Sequence, residues 1–215
     1  MNLIYQPTEL CQLAYTYGTD KCPQVEHTYT PFYFELLKDK RQSIKKVLEI
    51  GVGHHEDMKH VVKLKGSYLL GASLYMWRDF FPNAQIYGAD IRPESMFEAE
   101  RIKTYVCDQS KKEDLVRLIE HIGSDIDLVI DDGSHRREHQ ISTCLTLMPL
   151  LKKDVIYVIE DVIHSRKVIK AINQYDCWVP PISRQRRNNQ LVVVKNMPKE
   201  VIIFEHEKPT HLHRT

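Results

Sequence analysis

Ile126-Asp127-Leu128-Val129-Ile130 runs without a break into Asp131-Asp132-Gly133-Ser134-His135. An apolar run closed by two acids, a glycine and a histidine reads as a buried parallel strand whose carboxyl end opens into a polar loop. A second run, Val155-Ile156-Tyr157-Val158-Ile159, closes in the same way with Glu160-Asp161. In open α/β sheets the carboxyl ends of the strands face the crevice where ligands bind. Two neighbouring ends of this kind bring three or four carboxylates and one imidazole into one pocket. Carboxylates that close repel one another, so they share a proton or hold a hard cation.

Outward from these two runs, strand-like and helical patterns alternate. Further strands are expected at Lys46–Ile50, Gln85–Ala89, Lys103–Cys107, Leu191–Lys195 and Val201–Glu205, and helices at Leu74–Phe81, Lys112–Ile122, Glu138–Leu151 and Arg166–Tyr175. In the second helix Leu115, Leu118, Ile119 and Ile122 are spaced as one face. Such alternation predicts an α/β fold: a Rossmann-like, seven-stranded, mostly parallel sheet covered on both sides. No helix separates the last two strands, which predicts a C-terminal antiparallel hairpin across Asn196-Met197-Pro198-Lys199. Residues 1–40 hold no strand but are rich in aromatics (Tyr5, Tyr15, Tyr17, Tyr29, Phe32, Tyr33, Phe34), too many for disorder. They read as an N-terminal helical cap over the pocket of a domain spanning 41–215, the whole forming one unit.

Composition narrows the function. With 30 basic against 29 acidic residues, no global field draws the chain to nucleic acid. The basic clusters at Lys38–Arg41 and Arg184–Arg187 are short enough to be solvated faces. No apolar run approaches the ~20 residues of a membrane helix, and the first residues lack the pattern of a secretion signal. Five cysteines, at 11, 22, 107, 144 and 177, form no CxxC pair and read as reduced thiols of a cytoplasmic protein. The histidines at 54, 55, 206, 211 and 213 have no metal-ligand frame and read as surface residues.

The nucleotide-side signals are more specific. Gly51 and Gly53 follow the first strand, where a glycine loop lets the backbone turn and approach a ligand. The third glycine of a dinucleotide fingerprint is missing: Asp57 stands six positions after Gly51. No pyrophosphate cradle is apparent, which counts against NAD or FAD. The next strand ends at Asp90, placed for ribose hydroxyls, and the one after it in Asp108-Gln109-Ser110, polar groups suited to an adenine edge. An adenosine ligand without a diphosphate is implied. S-adenosylmethionine fits best, with Glu49 near its amino-acid end.

Several blocks together resemble a known family. Leu48-Glu49-Ile50-Gly51-Val52-Gly53, Gly71 to Ala84 (with Ser73-Leu74-Tyr75-Met76-Trp77-Arg78 inside it), Ile86-Tyr87-Gly88-Ala89-Asp90-Ile91, Cys107 to Ser110, Asp131 to His135 and Tyr157 to Val162 are similar to those of S-adenosylmethionine-dependent sugar O-methyltransferases of the mycinamicin and macrocin type. Tyr17-Gly18-Thr19-Asp20-Lys21, His27 and Tyr29 match the region that precedes the fold there. The resemblance spans about residues 10–165. It implies Ser73, Ile91 and Asp131 as further donor-site residues, a divalent cation (Mg²⁺ or Mn²⁺) on Asp132 and Asp161 with Glu160 contributing, and His135 as general base. It also implies a sugar or glycosylated small molecule as acceptor. Tyr17, Asp20, Lys21, His27 and Tyr29 would then close over donor or acceptor. Two departures stand out: Lys153-Asp154-Val155 replaces a Gly-Gly turn, and the stretch from Gly53 to Gly71 is long and basic at Lys59, Lys63 and Lys65. His135 can alternatively be a helix-start residue bonded to backbone, with His27 as the competing base. Competing functions are methylation of a catechol or other non-sugar diol, an iron oxygenase of cephalosporin-hydroxylase type, and an adenosine-binding module without catalysis. Self-association into a homo-oligomer is left open.

Overall fold

In the computed structural model, residues 7–54, 56, 58–182 and 190–198 are described. Their strands are β1 (Lys46–Ile50), β2 (Gln85–Asp90), β3 (Glu98–Ala99), β4 (Ile102–Val106), β5 (Leu128–Asp131), β6 (Ile156–Ile159), β7 (Tyr175–Trp178) and β8 (Val192–Pro198), arranged in the order β3-β4-β2-β1-β5-β6-β8-β7. From β4 to β6 every pairing is parallel; β3 joins β4, and β8 joins both β6 and β7, antiparallel. Strand order turns back between β1 and β5, so the crevice expected of an open α/β sheet lies above their carboxyl ends.

The α/β architecture and the largely parallel sheet are as the sequence indicates, with two corrections. Eight strands are present among the described residues, two of them unforeseen. Glu98–Ala99 is too short to leave a pattern, and Tyr175-Asp176-Cys177-Trp178 carries no β-branched residue. Among the described residues the antiparallel hairpin pairs β7 with β8; the expected strand Val201–Glu205 and the cluster Arg184–Arg187 lie outside the described residues. The helix expected to reach Tyr175 ends at Ala171 (α7, Ser165–Ala171), freeing Tyr175 to begin β7.

Alternate residues of a pleated strand face opposite sides, and two cores follow from that parity. On one side Val47, Ile86, Ile102, Leu128, Ile130, Ile156, Val158 and Val193 pack with α1 (Glu9–Tyr17), α2 (Tyr29–Leu37) and α4 (Ala72–Phe80). On the other, Leu48, Ile50, Val129, Tyr157, Ile159, Val192 and Val194 pack with α5 (Lys112–Ile122), α6 (Arg137–Leu147) and α7. The face of α5 read from its spacing is the buried one. The N-terminal residues from 7 onward contribute to the fold's interior. Leu10, Cys11, Ala14, Tyr29, Tyr33 and Leu37 are completely buried parts of the first core. The basic stretch after Gly53 contains α3 (Lys59–Lys65), which leaves through Gly66.

The five cysteines are all free thiols, and no helix among the described residues is long and apolar enough to cross a membrane. At the opposite end of the sheet from the crevice, Asp127 ties three segments together. Its Oδ2 accepts from the backbone N–H of Lys45 (2.6 Å) and Lys46 (2.9 Å), and its Oδ1 from Lys152 Nζ. Burial opposes its charge, but these donors hold its pKa below the ordinary value. A lowered pKa stabilises the fold above the carboxylate range and is lost as pH falls through it. Asp127→Ala is expected to cost about 1–3 kcal/mol at pH 7 in urea unfolding. The difference from the unaltered chain should shrink as pH falls below about 4.

Candidate active site

Parity also decides which acids meet. Ile50 lies beside Asp131, and Asp131 beside Ile159. One residue further on, the same alternation sends Asp132 and Glu160 to the face shared by Glu49, the side of α1, α2 and α4, and sends Asp131 to the other. Into the first group reaches Lys21, from the loop between α1 and α2. Its Nζ lies 2.5 Å from Asp132 Oδ2, 2.7 Å from Glu160 Oε2 and 3.4 Å from Glu49 Oε1. Burial works against a charge on this ammonium, which is 1% exposed, but Asp132, Glu160 and Glu49 outweigh it and hold the pKa well above the usual lysine value. Burial pushes the carboxyls of Glu49 and Glu160 up. Tyr33 donates to Glu160 Oε1 (2.6 Å), and Trp77 Nε1 donates to Glu49 Oε2 (2.6 Å).

The second oxygen of Asp132 serves a different group. Oδ1 is 3.1 Å from His135 Nε2, which lies 3.5 Å from Asp161 Oδ2. Asp161 Oδ1 accepts from Tyr29 OH (2.5 Å), and His27 Nδ1, stacked on the Tyr29 ring, stands 3.7 Å away. One atom each of Asp132, His135 and Asp161 fall within 4.8 Å of one another. Both His135 (φ +55°) and Asp161 (φ +52°) hold left-handed backbone, uncommon for residues with a Cβ and concentrated at functional sites. Burial raises and Lys21 and His135 lower the pKa of Asp132, leaving it well below the carboxylate range. For His135 burial opposes protonation, but the hydrogen bond and charge of Asp132, with Asp161, raise it to about 9.

The glycine loop is built for close approach. Gly51 has φ +95°, and a Cβ there would stand 2.0 Å from the Asp132 carbonyl oxygen. Asp90 Oδ2 accepts from Val52 N–H (3.0 Å) and its Oδ1 from Arg92 N–H (3.0 Å), so its carboxylate clips the loop after β1 to the end of β2. Gln109, expected at an adenine edge, is hydrogen-bonded within the protein. Its Nε2 donates to Asp131 Oδ1 (2.9 Å) and Thr143 Oγ1 (3.1 Å), and its Oε1 accepts from Ser134 N–H (2.6 Å). Asp131, also expected at the donor site, is 1% exposed on the far face, where burial pushes its pKa up to about 6 beside Gln109 and Tyr157.

One cavity of about 700 Å³ joins these parts. Of the residues expected from sequence, Asp20, Lys21, Gly51, Gly53, Ser73, Asp90, Ile91, Asp108, Gln109, Ser110, Asp132, His135 and Asp161 line it. Glu49, Asp131 and Glu160 lie outside that lining; Glu160, expected among the ligands of a cation, has both oxygens engaged by Lys21 and Tyr33. His27 and Tyr29 stand behind Asp161. Tyr17 is not near the acids: it donates to Asp79 and stacks on Tyr75. Sequence reading missed Tyr33, although it follows Tyr29 by four positions on α2, the spacing that puts two residues on one helical face. It also missed Met58, Tyr68, Arg92, Arg136 and His139 of the lining.

No family model matches the chain. It is 38% identical over 153 residues to the mycinamicin VI 2''-O-methyltransferase of Micromonospora griseorubida, covering 71% of this chain and 36% of the relative. It is 39% identical over 152 residues to an 8-demethyl-8-alpha-L-rhamnosyl tetracenomycin-C 2'-O-methyltransferase of Streptomyces olivaceus, covering 71% and 37%. Among solved structures, MycE methyltransferase from the mycinamycin biosynthetic pathway, in complex with Mg, SAH and mycinamycin VI, superposes with a TM-score of 0.68 at 27% identity, over 96% of this chain and 58% of that one. The resemblance to sugar O-methyltransferases read from the motifs holds. The chain spans just over a third of the length of the curated relatives it matches.

Gly51→Ala places a Cβ against backbone at a left-handed position, and should cost at least about 2 kcal/mol in chemical unfolding. Gly133→Ala meets Gln109 Oε1 at 2.1 Å, a side-chain atom that can swing aside at the expense of its hydrogen bonds. Its loss should be smaller. Equal losses would contradict the backbone-contact account.

Proposed function

We propose that the chain carries an S-adenosylmethionine-dependent O-methyltransferase site whose acceptor is a sugar hydroxyl on a glycosylated small molecule, assisted by a divalent cation. One observation carries the reading: the loop clipped by Asp90 and the group Asp132, His135 and Asp161 open into the same cavity. Ile91, 59% exposed at the cavity wall, offers an apolar surface for a purine beside Asp90 and Asp108. Glu49 is fully buried and outside the lining, so the amino-acid end of the donor would meet the pocket through Gly51, Ser73 and Asp20.

The donor set fits a hard dication. Asp132 and Asp161 supply carboxylate oxygens that converge with one imidazole, and magnesium favours oxygen ligands. A bound dication would lower the pKa of a chelated hydroxyl. Asp132 and Asp161 would hold it, and the Lys21 contact would leave Asp132 its Oδ1, the oxygen that faces His135. His135 faces the same place and would accept the acceptor's proton at Nε2 once the charges that raise its pKa are screened. Tyr29 and His27 would hold Asp161, and the N-terminal segment would shield the site from water.

The wall chemistry favours a sugar over a catechol. Among the described lining residues Tyr68 is the one aromatic carbocycle, against Thr19, Asp20, Asp108, Ser110, Ser134, Arg136 and His139. An iron oxygenase would ask for two imidazoles on one carboxylate, whereas this group has two carboxylates and one imidazole.

Calorimetry should show S-adenosylhomocysteine binding and no heat with NAD. Methyl transfer to a deoxysugar glycoside should stop in EDTA and return with magnesium, and Asp132→Asn or Asp161→Asn should remove most activity. His135→Ala should lower kcat by about 10²–10⁴-fold with S-adenosylhomocysteine affinity nearly unchanged. Full activity in excess chelator would overturn the metal assignment, and binding of NAD alone would overturn the donor.

A further inference from the structure

We infer that Lys21 is a positioning residue: a built-in cation that holds Glu49, Asp132 and Glu160 together in the absence of a metal and selects which oxygen of Asp132 faces the pocket. This rests on the metal-site reading above. Three carboxylates from three strands converge on one ammonium, and each is an acid that the neighbouring strands cannot move apart. Glu49 Oε1 is the buried side-chain oxygen that has no hydrogen bond among the described residues, and Lys21 Nζ stands 3.4 Å from it. Asp132 is divided between two tasks, Oδ2 at 2.5 Å from Lys21 and Oδ1 at 3.1 Å from His135. Lys21 thus meets Asp132 at one oxygen while His135 meets the other.

A lysine that merely anchored the N-terminal segment would stabilise the protein equally with and without metal. A lysine that supplies the missing charge would matter most when no metal is bound, because a dication on Asp132 and Asp161 would balance the charge of Asp132, the acid that it shares with Lys21.

The test is thermal unfolding of the unaltered chain and of Lys21→Met, each in chelator and in saturating magnesium. In chelator, Lys21→Met should melt roughly 10 °C lower, as expected when one partner of a buried ion pair is removed. Magnesium should then raise its melting temperature by at least about twice the increment seen in the unaltered chain. Equal increments would overturn the inference and leave the metal site standing; no increment in either protein would overturn both. Should Lys21→Met fail to fold, Lys21→Met/Glu160→Gln removes one of the carboxylates along with the ammonium. It should recover more than half of the loss. A double variant that fails equally would overturn the inference, since relief of charge would then have no effect.

Discussion

The ammonium of Lys21 among Glu49, Asp132 and Glu160 is the contact on which the rest of this molecule turns. Two of the three acids are 0–1% exposed, so bulk solvent does little to soften their repulsion. Removing one partner from a buried ion pair typically costs about 3–5 kcal/mol, because the charges left behind stay buried. The pairing also fixes the N-terminal segment. Lys21 holds the ends of β1, β5 and β6, Tyr33 holds Glu160, and Tyr29 holds Asp161. The backbone carbonyl of Lys21 accepts from both Tyr29 and Thr30 N–H, so the loop carrying the lysine and the start of α2 are one assembly.

Above this buried layer the site is shaped by close backbone approach and by local strain. Gly51 lets the loop after β1 touch the Asp132 carbonyl, which brings the donor side and the acid side to a common wall. Both His135 and Asp161 hold left-handed backbone, and the His135 imidazole lies between Asp132 and Asp161. Such conformations persist where the surroundings over-determine them. Here the surroundings are Gln109, which braces the loop at Ser134, and Tyr29, which bonds Asp161.

Much of this was legible in the sequence because it depends on short-range pattern. Apolar runs ending in Asp131-Asp132 and Glu160-Asp161 gave the strands and the acid cluster, and strand parity alone separates Asp132 from Asp131. What stayed hidden depends on contacts between distant residues. The resemblance marks Lys21 as closing over donor or acceptor, but its contacts span 111 and 139 positions, and nothing local shows that it meets buried acids. Gln109 is placed at an adenine edge by its position after a strand and Glu160 beside a cation by the resemblance; neither reading can show the hydrogen bonds that both make within the protein. The short strand β3 and the unbranched β7 left no periodic signal.

Native-state hydrogen exchange tests the central claim most directly. If the Lys21 cluster binds the N-terminal segment to the sheet, the amides of His27, Tyr29 and Thr30, all hydrogen-bonded to the Asp20–Lys21 backbone, open only when the core opens. Their exchange free energies should match those of the β1 and β5 amides to within about 1 kcal/mol. Exchange of these three amides through a local opening several kcal/mol below that of the strands would contradict it.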